Sequence, residues 1–214
     1  MIRKWFKRIV CGILLAGVLC SITVFAGTKI KPFKLDPSSI EYYKGRILLD
    51  LAHLDTSLDN GASYGGYTER EIVNSISLKV RDKLVEAGYD VELTRDMNTP
   101  TSIGERVRMA NEGDYDVYIS LHINSCAVEN TGTGVEAFSN GAWSLSNGVL
   151  RDMSAKFGLA NRGVHETPYY NRNINKNNTL IELGFINNDK DRDILVYEQE
   201  SISEIIVKNI LENY

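Results

Sequence analysis

Arg46-Ile-Leu-Leu-Asp-Leu-Ala-His53 and Asp116-Val-Tyr-Ile-Ser-Leu-His122 are apolar runs that each end in a histidine, and Asn178-Thr-Leu-Ile-Glu182 is a third that ends in a glutamate. Continuous apolar runs of this length mark parallel strands covered on both faces, and open α/β sheets bind ligands beyond the carboxyl ends of such strands. The chain has three histidines, and two of them stand at this position. The three runs therefore predict an α/β domain with a polar, metal-competent site at the carboxyl ends of its strands.

Working outward from these runs, residues 51–67 are rich in Gly, Asn, Asp and Ser and read as a long loop. Residues 69–87 place Ile72, Ile76, Val80 and Leu84 at helical spacing, and Gly88 ends that helix. Residues 89–94 alternate as a strand, 102–112 form a helix stopped by Gly113, and 115–121 form the next strand. A short strand at 134–138, a helix at 144–157, a strand at 179–183 and a helical end over 191–213 complete the series. Strand and helix alternate without repeats. With right-handed crossovers this gives one domain, a doubly wound, mainly parallel twisted sheet flanked by helices.

A length of 214 residues suits one well-buried core. The first eight residues, Met1-Ile-Arg-Lys-Trp-Phe-Lys-Arg8, are basic, and an uncharged apolar stretch runs from there to Lys29. Residues 1–28 read as an export signal, with Val24-Phe-Ala26 as a small-residue cleavage pattern. The stretch is also just long enough to stay as a membrane anchor; cleavage is the favoured alternative. Cys20 follows Leu19, where lipoprotein processing wants a small side chain. Residues 29–44 carry Pro32 and Pro37 with no clear period and read as a linker, and residues 45–214 form the globular domain. The expected location is the outer side of the cytoplasmic membrane or the cell-wall space of a bacterium.

The whole chain carries a net charge of −4. Without Arg3, Lys4, Lys7 and Arg8, the 24 basic residues less these four stand against 28 acidic ones, a charge of −8. Nucleic-acid binding, which draws on neutralised phosphates, is argued against. Cys11 and Cys20 fall in the signal and leave Cys126 alone, so a core rather than a disulfide must hold the exported fold.

Chemistry gathers at four positions. His53 follows a strand end, Glu69 opens a helix, and His122 follows another strand end. Imidazole and carboxylate are the right donors for Zn²⁺, and a catalytic zinc keeps three protein ligands with a fourth position for water. Taken singly, a histidine after a strand is more often a hydrogen-bonded loop residue, and a glutamate at a helix N-terminus more often complements the helix dipole. Glu182 ends an otherwise apolar strand, where an unpaired carboxylate is costly unless a cation is near. Beside a metal and its water it would serve as general base.

Here the chain resembles the zinc-dependent N-acetylmuramoyl-L-alanine amidases. The resemblance runs from Arg46 to the C-terminus. Ile47-Leu-Leu-Asp-Leu-Ala-His53 lies beside the family's strand and Asp-Pro-Gly-His-Gly-Gly, Asn60-Gly-Ala62 beside its Gly-Ala step, and Glu69 beside its glutamate ligand. Leu93-Thr-Arg95 resembles its strand-ending Thr-Arg, Glu105-Arg106 with Ala110-Asn111 its Arg-x-x-x-Ala-Asn helix, and Ser120-Leu-His-Ile-Asn124 its Ser-x-His-x-Asn. Gly134-Val-Glu136, Asn161-Arg-Gly163 and Leu180-Ile-Glu-Leu-Gly-Phe185 with the asparagines at 187 and 188 complete the series. The resemblance implies zinc ligation by His53, Glu69 and His122, water activation by Glu182, and hydrolysis of the amide between N-acetylmuramic acid and L-alanine in peptidoglycan. The size most resembles the spore-cortex type, which implies a role in sporulation. Residues 134–182 leave space for a helix and a loop but not for the long helix with which some cell-separation amidases block their own zinc. An activating partner and N-terminal membrane association are the further partners expected beside peptidoglycan, since no wall-binding module is evident.

The first ligand loop departs from the family, with Leu51-Ala52 before and Leu54-Asp55 after the histidine where the family has Pro-Gly and Gly-Gly. Leucine resists backbone angles that glycine allows, so the loop is expected to take another path or to hold metal less tightly. Asn124 and His165 are the substrate-binding candidates. Trp143 and the Tyr169-Tyr170 pair are either sugar-stacking or packing residues. Arg106 and Asn111 are read as pinning helix to sheet. Three rivals remain: a weak or inactive peptidoglycan-binding protein, another zinc peptidase, and a cysteine hydrolase using Cys126, for which the sequence offers no dedicated base.

Overall fold

Ile47, Leu48, Leu49 and Asp50 of strand β1 (Arg46–Asp50) are all buried, as an apolar run covered on both faces demands. The computed structural model describes residues 43–56 and 58–214. The expected signal or anchor and nearly all of the expected linker lie outside the described residues. After β1 the chain forms a two-residue hairpin, β2 (Ser63–Tyr64) and β3 (Tyr67–Thr68), and enters α1 (Glu69–Glu86). Thr68 caps that helix by accepting from the Glu71 N–H, and its hydroxyl donates to the Glu71 carboxylate at 2.8 Å. Ile72, Val73, Ile76, Val80 and Leu84 fill its buried stripe. Then come β4 (Asp90–Leu93), α2 (Ile103–Glu112), β5 (Val117–Asn124), β6 (Val135–Asn140) and α3 (Trp143–Phe157). The chain ends with β7 (Asn161–Glu166), a 3₁₀ turn (Tyr170–Asn173), β8 (Asn178–Phe185), α4 (Asp189–Tyr197) and α5 (Gln199–Asn213).

Six strands make one sheet in the order β4-β1-β5-β8-β6-β7. The first four run parallel, β6 runs antiparallel to β8, and β7 runs parallel to β6. The two sheet faces are unequal. α1, α3 and α5 enclose the main core, with Ile47, Leu49, Ile119, Leu121, Ile181 and Leu183 among its buried residues, and α5 packs on both α1 and α3. On the other face α2 and the 3₁₀ turn cover a small cluster of Leu48, Ala110, Tyr118 and Ile174.

The mainly parallel α/β sheet stands as expected, with three refinements. β5 and β8 are longer than their apolar runs, so His122 lies within its strand rather than after it, and Glu182 lies well inside β8 rather than near its end. The pairing continues because His122 itself pairs with Glu182 across the two strands. Asn161–Glu166 forms an edge strand that its half-exposed sequence does not announce. The helical end divides at Glu198 into α4 and α5. Among the described residues no helix is long and apolar enough to cross a membrane, and Cys126 is a half-buried free thiol.

Candidate functional site

Glu69 occupies the first turn of α1 and is nearly buried, and the structure brings His53 and His122 against it. Glu69 Oε1 lies 2.9 Å from His122 Nδ1, 2.8 Å from His53 Nε2 and accepts the Ile123 N–H at 3.0 Å. Its Oε2 accepts the Ala62 N–H at 2.9 Å. Burial alone would raise the Glu69 pKa, but the two imidazoles outweigh it and hold the carboxylate far below the usual range. The His53 and His122 Nε2 atoms are both buried and have no hydrogen-bond partner, the 2.8 Å contact of His53 being out of line for one. Buried ring nitrogens left unpaired are costly, and a shared cation is the partner that suits them. One donor atom from each of the three residues falls within 4.8 Å of the others, so this donor set fits a metal ion.

Two of the three donor positions come from regular structure and one does not. The β5–β8 ladder fixes His122, and the N-terminus of α1 fixes Glu69. His53 sits in the loop after β1, where His53 and Leu54 both have φ of 62°. Side chains other than glycine rarely adopt such angles, at a cost of about 1–3 kcal/mol each. Leu54 thus takes a left-handed angle that glycine would adopt without strain, and with it the loop sets His53 against Glu69. Asp59, which no sequence motif marks, lies 3.2 Å from His53 Nδ1, and its carboxylate accepts from that nitrogen when the ring carries its proton there. Burial disfavours the charged imidazole, yet Glu69 and Asp59 raise its pKa. Gly61 has φ of 66°, and a Cβ there would lie 2.5 Å from Glu69 Oε2 and 2.6 Å from His53 Nε2, so only glycine lets the chain pass this close to both side chains.

Glu182 stands opposite His122 on β5 and opposite Glu136 on β6. Its Oε2 is buried without a hydrogen-bond partner. Burial first, and then the charges of Glu69 and Glu136, push its pKa up to about 8. Glu136 carries the same sequence signal as Glu182, an acid in an otherwise apolar strand. It is nearly buried, accepts from Asn124 Nδ2 at 2.7 Å and faces Arg162 Nε at 3.4 Å.

Both ends of the Asn124 amide are engaged within the protein, Nδ2 by Glu136 and Oδ1 by the Ser125 N–H. His165 is exposed on β7, with its ring 5.7 Å from that of Phe138, two positions along β6 from Glu136. Tyr169 meets Phe138 edge-on at 4.8 Å, and the charge of Glu182 reaches it. Tyr170 is a core residue: its hydroxyl bonds Asp50 at 3.0 Å and Tyr118 at 2.9 Å. Trp143 starts α3 beyond the carboxyl end of β6, and since β6 runs against β8 this is the end of the sheet away from Glu182. Arg106 does join α2 to the sheet, through Asp50 at 2.9 Å, and Asn111 bonds the backbone of residues 173 and 175.

Comparison with known proteins gives a consistent answer. Residues 47–212 match the sequence profile of the Amidase_3 family, described as N-acetylmuramoyl-L-alanine amidase. An uncharacterized Bacillus subtilis protein, YqiI, is 29% identical over 163 residues, covering 73% of this chain and 79% of its own length. The germination-specific N-acetylmuramoyl-L-alanine amidase of Bacillus subtilis is 25% identical over 179 residues, covering 73% of this chain and 75% of its own. The crystal structure of an N-acetylmuramoyl-L-alanine amidase from Clostridium difficile superposes with a TM-score of 0.72 at 26% identity, over 80% of this chain and 96% of that one.

Proposed function

This chain belongs to the N-acetylmuramoyl-L-alanine amidase family of enzymes, which hydrolyse the amide bond joining peptide to glycan in peptidoglycan, and from that premise we propose that His53, Glu69 and His122 hold a zinc ion and Glu182 is the general base. The observation that carries the reading is that His53, Glu69 and His122 each bring a donor atom within 4.8 Å of the others while both Nε2 atoms stay unpartnered, with Glu182, itself bearing an unpartnered oxygen, paired to His122 across the sheet. A zinc ion held there would supply Lewis-acid chemistry, polarising the scissile carbonyl and acidifying the attacking water. Glu182, at the level of His122 in the sheet, accepts the water's proton and returns it to the nitrogen of the leaving L-alanine. Glu69, already ionised by its histidine neighbours, takes no part in proton transfer. No covalent intermediate is required.

Glu136 acts on Glu182 by charge and is itself held by Asn124, which makes Asn124 a support of the site before any contact with substrate. His165, Phe138 and Tyr169 form an aromatic wall on the β6–β7 side, suited to a sugar or peptide face. The family supports action in the cell wall, and residues 1–28 would deliver residues 45–214 there as a signal or an anchor, with 29–44 as linker. Similarity to a germination-specific amidase supports a spore-cortex substrate. A partner protein that settles the His53 loop fits the strain that loop carries.

Incubation of the purified full-length chain with defined peptidoglycan, followed by mass analysis, tests the reading. Free stem peptides beginning in L-alanine are expected, with about one zinc per chain, and His122→Ala should lose both. Intact glycan-peptide would favour a binding protein, and release of single amino acids another zinc peptidase.

A further inference from the structure

The carbonyls of residues 51–54 each receive a hydrogen bond, and two buried arginines supply most of them. Arg106 Nη1 donates to Leu51 O at 2.9 Å and Arg95 Nη2 to Ala52 O at 2.9 Å. His53 O accepts from both Arg95 Nε, at 3.2 Å, and Arg106 Nη2. Leu54 O accepts the Thr101 N–H at 3.1 Å. Arg95 is 6% exposed and Arg106 2%. Arg106 also pairs with Asp50 and Asp55, each at 2.9 Å. Arg95 is the more telling residue: no ion pair to a carboxylate holds it among the described residues, and its donors go to the carbonyls of Ala52, His53 and Asp96. Burial and the neighbouring Arg106 charge bring its pKa down to about 10. A guanidinium kept in so unfavourable a place, serving only main-chain oxygens, is there for the backbone it holds.

That backbone contains the two consecutive left-handed residues, His53 and Leu54. A loop bearing leucine there would leave the left-handed region if it were free to do so, and the His53 ring would leave Glu69 with it. We propose that Arg95 and Arg106 are positioning residues for the candidate metal site, which grip the His53 carbonyl from two sides and hold the imidazole in place before metal arrives. This rests on the reading of His53 as a ligand and adds to it a reason why the site survives the loss of glycine. The two guanidinia, which stand where the family also has arginines, hold by hydrogen bonding a backbone angle that leucine, unlike glycine, does not favour.

The test measures zinc affinity of the full-length protein by competition with a chromophoric chelator. Arg95→Gln should weaken zinc by roughly tenfold or more, the scale of losing an outer-shell partner. Leu54→Gly alone should leave affinity within about threefold of the parent, because the clamp already fixes the angle and glycine merely makes it cheaper. Placed in the Arg95→Gln background, Leu54→Gly should restore most of the lost affinity. A residue that only packed the fold would give the opposite result, since Leu54→Gly removes a further buried side chain. Should Arg95→Gln fail to fold, Arg95→Lys carries the test, keeping the charge while losing the fork that bridges two carbonyls. Unchanged affinity in the Arg95 variant, or a loss that Leu54→Gly leaves unrepaired, overturns the proposal. His122→Ala is the separate control: if it binds zinc like the parent, the metal site itself lies elsewhere.

Discussion

His122 and His53 reach the same carboxylate oxygen, at 2.9 and 2.8 Å, by opposite means. His122 is carried by a ladder in which residues 118–122 of β5 pair one by one with residues 178–182 of β8. Its place is set by backbone hydrogen bonds that many side chains would permit. His53 hangs from a loop in strained conformation, and its place is set by a handful of side chains: Asp59 on its ring, Arg95 and Arg106 on its carbonyl, and the missing Cβ of Gly61. The candidate metal site is therefore rigid on one side by architecture and on the other by local chemistry, and substitutions should fall unequally on the two sides.

Gly61→Ala should give the largest effect. The added methyl meets both Glu69 and His53 at under 3 Å, and φ of 66° disfavours alanine as well. Zinc affinity is expected to fall by at least about a hundredfold, beyond the 10–100-fold typical of an outer-shell change, as read by zinc per chain after dialysis. Retained zinc would mean that the loop is more yielding than the comparison supposes. Asp59→Asn should come next. It keeps the shape but removes the charge on His53 Nδ1, and a loss of about 10–100-fold in zinc affinity is expected, with the melting temperature of the metal-free protein little changed. The strand side supplies the smallest effect. Ile123→Val, beside His122 on β5 and buried to 2% exposure, should leave zinc affinity unaltered and lower the melting temperature by about 1–5 °C. A strand variant that released zinc as readily as the loop variants would break the contrast.

The same contrast governs what the sequence discloses. β1, β5 and β8 are legible because burial on both faces leaves no choice but apolar residues, so each titratable side chain at their ends stands out: His53, His122 and Glu182. Glu69 is legible from its place at a helix start, and Ile72, Ile76, Val80 and Leu84 from their spacing. β7 is hidden because an edge strand with exposed residues on both sides of its pleat carries no alternation. The break at Glu198 is hidden because no glycine or proline marks it. The arginine clamp is hidden for a deeper reason. Arg95 and Arg106 act on carbonyls more than 40 residues away, and nothing in the local sequence says which backbone a guanidinium will hold. The departure from glycine around His53 was visible, but its solution was not.

The division of labour between Glu69 and Glu182 is the central claim, and one paired measurement addresses it: zinc per chain and release of free stem peptide from peptidoglycan, for Glu182→Gln and Glu69→Gln beside the parent. Glu182→Gln is nearly isosteric and should keep fold and zinc while hydrolysis falls by about two orders of magnitude or more, the scale of losing a positioned base. Glu69→Gln should lose zinc, because the change removes the ligand charge that both histidines surround. If Glu182→Gln cleaves at the parental rate, or loses zinc while Glu69→Gln keeps it, the assignment of ligand and base is contradicted.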